Sequence, residues 1–93
     1  MHELVGCFVT SVSGKDRGKH YVIIDTDNEY VYLVNGKSRT LDNPKKKKLK
    51  HIHRLDFFNP LLTEVIKNKT VKNEDIKRSI KMLQGRCLIK EVE

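Results

Sequence analysis

The stretch Val9-Thr10-Ser11-Val12-Ser13-Gly14-Lys15-Asp16-Arg17-Gly18-Lys19-His20-Tyr21-Val22-Ile23-Ile24 is apolar and β-branched at both ends, with glycines and cations between them. It predicts strand, basic loop, strand. The first strand covers Phe8-Val9-Thr10-Ser11-Val12 and ends at Ser13-Gly14, and the second runs from His20 to Asp25, both rich in residues that suit a pleated, half-buried surface. Gly14 and Gly18 let the loop take positive φ or bring its backbone close to a partner. Lys15, Arg17 and Lys19 occupy every second position, so an extended loop would project all three the same way. Cations presented with backbone N–H groups suit phosphate oxygens. The plain alternative is a solvated turn with surface lysines.

Outward from this stretch the β pattern continues. Asp25-Thr26-Asp27-Asn28 favours a turn. Tyr30-Val31-Tyr32-Leu33-Val34 makes a third strand, and Asn35-Gly36 follows it as a tight-hairpin signal requiring positive φ. That turn would lead into a short fourth strand at Ser38-Arg39-Thr40-Leu41, and after Asp42-Asn43-Pro44 a last strand is expected from Lys48 to Arg54. Four or five short strands joined by brief loops favour a small twisted barrel over a sandwich, and closure removes exposed sheet edges. Both faces of the second and third strands are apolar, so one of them has to be covered from outside.

The chain after Asn59 supplies the cover. Asn59 and Pro60 are placed as cap and first turn of a helix through Leu61, Leu62, Val65 and Ile66. Asn73 is placed to cap a second helix, with Glu74 and Asp75 in its first turn and Ile76, Ile80 and Leu83 as its apolar stripe. Gly85 would stop that helix, leaving Cys87-Leu88-Ile89 as a last strand or as packing against the barrel. Residues 1–58 thus form the barrel and 59–93 a helical extension of the same single domain. The fold class is mainly β with C-terminal α.

Composition sets the function classes. The chain has 93 residues, close to the roughly 100 that one core needs, so a two-domain enzyme is excluded and no small-molecule substrate or cofactor is expected. Nineteen Lys and Arg face twelve Asp and Glu, for a formal charge of +7, and most of the excess lies before residue 55. Such a balance favours a polyanionic partner. The longest apolar runs fall far short of the roughly 20 residues of a membrane span, and the first residues carry no signal-peptide pattern. With only Cys7 and Cys87, far apart, reduced thiols and a cytoplasmic location are expected.

Val12, the loop Gly14-Lys15-Asp16-Arg17-Gly18-Lys19 and the apolar strand after it resemble a KOW motif, found in several ribosomal proteins and in NusG-type elongation factors. The stretch from Val34-Asn35-Gly36 through Leu41-Asp42-Asn43-Pro44 to Ile52 is similar to the continuation seen in small KOW-domain RNA-binding proteins. The resemblance spans roughly the first 55 residues. It implies an SH3-like barrel whose loop glycine is matched by Gly18. It also implies binding to RNA, ribosomal RNA first, by a ribosomal or ribosome-associated protein. Lys15, Arg17, Gly18 and Lys19 match the motif loop. Lys45, Lys46, Lys47, Lys48, Lys50 and His51 match the basic follow-on. Because KOW modules also make protein contacts, a module gripping a transcription or translation factor is the alternative.

The residues themselves support the same patch. Lys45-Lys46-Lys47-Lys48-Leu49-Lys50 concentrates like charges that a compact fold keeps on its surface or beside a polyanion, and Arg39 and Arg54 would extend the patch. Membrane binding would need an amphipathic helix with aromatic anchors, which the chain lacks. Tyr30, Tyr32 and Tyr21 are candidates for base stacking, although half-buried packing is the commoner role for strand tyrosines. Phe57 and Phe58 are expected to join barrel and helices in the core. His51 and His53 fall on one strand face, but no paired ligand knuckle accompanies them, so neither a zinc site nor a ribonuclease-like centre is expected.

Overall fold

The computed structural model describes residues 4–92, with side chains as far as Gly85. Five strands form one antiparallel sheet: β1 (Phe8–Ser11), β2 (His20–Asp27), β3 (Tyr30–Val34), β4 (Lys45–Lys48) and β5 (Ile52–Arg54). Their spatial order is β4-β3-β2-β1-β5. The two outermost strands are therefore consecutive in the chain, joined only by the 3-10 turn Leu49–His51. A three-residue link between opposite edges requires the sheet to curl strongly. Two helices follow, α1 (Pro60–Lys67) and α2 (Asn73–Val92).

Register divides the apolar residues between the two faces. Phe8 stands opposite Val22 and Val22 opposite Val34, a row across three strands that packs on Leu62 and Ile66 of α1 and on Ile76, Ile80 and Leu83 of α2. Val9 opposite Tyr21 and Ile23 opposite Leu33 line the other face with Val31, inside the curl, where Leu49 and Ile52 close over them. Each such side chain contributes about 1.5–3 kcal/mol by leaving water. The expectation that the C-terminal segment covers the outer apolar face is met. Phe57 joins this packing edge-on to Phe8, with ring centroids 4.9 Å apart. Phe58, expected in the core, is instead 69% exposed.

Local chemistry explains where the elements differ from expectation. No strand forms over Ser38–Leu41. The Asn35 side-chain oxygen accepts hydrogen bonds from the backbone N–H groups of Lys37 and Arg39, at 2.9 and 3.0 Å, and so folds the segment into a compact side-chain-capped loop. Gly36 has φ of +81° while Asn35 does not take positive φ, so no tight hairpin turn forms there. Pairing resumes at Lys45, and the expected strand from Lys48 to Arg54 is split into the end of β4, the 3-10 turn and β5.

At α1, Asn59 caps as expected, its side chain accepting from the Leu62 N–H with Pro60 in the first turn. At α2 the cap differs. Asp75 reaches back to the Lys72 N–H at 2.9 Å, the arrangement in which a third-position acid satisfies the capping residue. The Asn73 side chain accepts instead from the N–H of Leu41 at 2.9 Å, tying the 36–41 loop to the helix. Gly85 does not end α2, which continues to Val92 and takes in the backbone of Cys87-Leu88-Ile89. One glycine costs a helix about 1 kcal/mol, too little to break a run of good helix formers. The side chains of that segment lie outside the described residues.

Candidate nucleic-acid interface

The basic loop is folded rather than extended. Arg17 N–H donates to the Gly14 carbonyl and Lys19 N–H to that of Asp16, while Gly18 N–H reaches Ser11 O at 2.8 Å and Ser11 N–H reaches Lys19 O at 3.1 Å. Projection of Lys15, Arg17 and Lys19 by simple alternation is therefore corrected. All three are exposed, but turns orient them. Gly18 has φ of +87°, and a Cβ there would meet nothing within 4 Å.

What the turn buries is the acid in its middle. Asp16 is 5% exposed. Its Oδ1 accepts from Lys47 Nζ at 2.7 Å and lies 3.0 Å from the Ser11 hydroxyl, while Lys45 Nζ stands 3.4 Å from Oδ2. Lys47 Nζ also donates to the carbonyl of Ser13 at 2.9 Å. Burial by itself would raise the Asp16 carboxyl, but the hydrogen bonds from Lys47 and Ser11 and the charges of Lys47 and Lys45 outweigh it. They hold Asp16 well below the usual carboxylate range. Burial, followed by the charge of Asp16, pushes the neighbouring Tyr21 hydroxyl up, against the opposing pull of Arg39.

The lysine tract is thus an edge strand whose two faces do different work. Lys45 and Lys47 turn inward to Asp16. Lys47 is buried and is withdrawn from any external ligand, which corrects its assignment as an RNA contact. Lys46 and Lys48 lie on the opposite face, in register with Tyr32 and Tyr30, and the Lys46 ammonium sits 4.5 Å above the Tyr30 ring. Four of the expected residues do converge. Lys15, Lys19, Arg39 and Lys45 line one surface groove of about 430 Å³ with Ser38, Asn43 and Asp16, whose charge is already met by Lys45 and Lys47. Lys50 and His51 belong to the 3-10 turn. Arg54 borders a separate groove with Asp56, Phe57 and Phe58, so it does not extend the cluster.

A second groove, of about 890 Å³, adjoins the first and shares Lys19 with it. Its walls are the 18–20 segment, Asn35 and Lys37, and the exposed side of α2 with Lys77, Arg78, Lys81 and a single acid, Glu74. Sequence reading missed these helix cations. Their signal is present: Lys77 and Lys81 are spaced i, i+4, out of phase with the Ile76, Ile80 and Leu83 stripe. Among the described residues no three of His, Cys, Asp and Glu come together to hold a metal ion, and no helix is long and apolar enough to cross a membrane. The chain matches no protein-family model, and no curated protein is close enough to count as a relative.

Proposed function

We propose that this chain is a KOW-type RNA-binding protein, its curled sheet an SH3-like barrel, and that it binds ribosomal RNA electrostatically as a cytoplasmic ribosomal or ribosome-associated protein. The barrel reading is supported by edge strands joined through three residues. The RNA reading is carried by one observation: Lys15, Lys19, Arg39 and Lys45 border a common groove that runs on into the cations of α2. Clustered ammonium and guanidinium groups displace condensed counterions from a phosphate backbone and supply affinity without reading sequence. Lys15 and Lys19, exposed, and the half-buried Arg39 carry the binding in this reading. Lys45 contributes less because Asp16 already holds it.

Binding measured against salt tests this. With at least the four phosphates of this groove contacted, log affinity against log salt should fall with a slope of about −3 or steeper. Lys15→Ala, Lys19→Ala and Arg39→Ala combined should flatten that slope by roughly 2–3 while leaving the thermal transition in place. An unchanged slope in the triple variant would refute the assignment. The alternative, a protein-binding module, would draw on Leu61 and Met82, exposed side by side along α1 and α2. It would show a shallow salt dependence.

A further inference from the structure

Single-stranded RNA is held chiefly by stacking its bases on exposed rings, whereas base-paired RNA is gripped through its phosphates and its shape. The phenylalanine and tyrosine rings are placed against the first use, and neither His51 nor the exposed His53 lines a basic groove. Tyr21, on the wall of the first groove, is 2% exposed. Phe57 is edge-on to Phe8. Tyr30 lies under the Lys46 ammonium, and Tyr32 borders a depression with Asp25 and Asp27, carboxylates that repel a phosphate. Neither tyrosine lines the basic grooves. His20 does, but its Nδ1 is 3.1 Å from the side-chain amide of Gln84. Phe58 is exposed, yet it shares its groove with Asp56 and with Arg54 as the one Lys or Arg there, apart from the clustered cations.

Resting on the RNA-binding reading above, we infer that the ligand is a base-paired segment of RNA, held across both grooves by its phosphates, and not an unpaired strand. Lys19, common to the two grooves, joins the loop's cations to Lys77 and Lys81 of α2. The protein then contacts phosphates along both grooves without touching base faces.

The test is fluorescence anisotropy of the intact chain, at low salt, with a blunt RNA duplex and with oligouridylate of equal length. The duplex should bind about tenfold tighter, since the single strand gains none of the stacking that normally retains it. Lys77→Ala with Lys81→Ala should flatten the duplex salt slope by about 2, and Phe58→Ala should change neither affinity. Equal or tighter binding of oligouridylate, or its loss in Phe58→Ala, overturns the inference while leaving RNA binding standing. Failure of both RNAs to bind in dilute buffer removes the RNA-binding reading itself.

Discussion

Lys47→Ala is expected to cost about 3 kcal/mol of folding stability, because it strips the buried Asp16 carboxylate of its 2.7 Å partner and leaves only Lys45, 3.4 Å from the other oxygen. For a domain of this size that lowers the melting temperature by well over 10 °C. Lys46→Ala, one residue earlier in the same strand, removes only an exposed cation above Tyr30 and should cost less than about 1 kcal/mol. Thermal melts of the two variants, followed by circular dichroism, decide the matter. A Lys47 variant as stable as the Lys46 variant would mean that the Asp16 contact contributes nothing. The double change Lys47→Met with Asp16→Asn should recover much of the loss, since a neutral pair of similar shape avoids the desolvation that two buried ions suffer.

The same pair sets a pH dependence whose sign is fixed. The Asp16 carboxyl titrates lower in the folded protein than in the unfolded chain, where an aspartate loses its proton near pH 3.9. Its contribution is therefore fully present above about pH 5 and is lost as pH falls through and below 4. In melts taken from neutral pH down to acid, wild type should lose stability more steeply over that window than Asp16→Asn. Parallel curves would contradict the depressed titration.

The contrast between Lys46 and Lys47 also marks how far the sequence carries. β1, β2, β3 and α1 were legible because each is set by residues close together: β-branched runs, turn residues, and an Asn-Pro start. Burial of the outer sheet face under the helices was legible from strand alternation, since Val22 and Ile23 could not both face one core. Lys45–Lys48 was not, because lysine is a poor strand former and its partners lie on other strands. What makes β4 tolerable is Asp16, more than 25 residues away in sequence, turned inward by a loop whose folding no local pattern announces. A lone acid amid cations was the available signal. The 38–41 segment misled for the opposite reason: a strand-like composition was overridden by one local side chain, Asn35, binding two backbone N–H groups. In the site, the loop cations were legible and the α2 cations were not, because only the docking of α2 beside Lys37 brings them to the same groove.

Gly36→Ala should be the other severely destabilised variant, and Gly18→Ala should cost much less. Both glycines have φ above +80°, a region that costs a residue bearing a Cβ about 1–2 kcal/mol. Their surroundings separate them. A Cβ on Gly36 would lie 2.6 Å from the carbonyl oxygen of Asn73 and 3.1 Å from the backbone N of Lys77, whereas one on Gly18 meets open space. The first turn of α2 cannot yield without loosening Ile76, which is fully buried, so overpacking adds about 1–3 kcal/mol at residue 36. Melting should fall by roughly 15 °C for Gly36→Ala and by about 5 °C for Gly18→Ala. Because Gly36 is where the Asn35–Arg39 loop meets α2, its substitution should also separate Lys37 from Lys77 and weaken the proposed RNA binding under conditions where the protein remains folded. Gly18→Ala should bind as wild type does. If instead Gly18→Ala proves the more damaging of the two, the loop is under a constraint that its own backbone geometry does not impose, such as close approach of a ligand at residue 18.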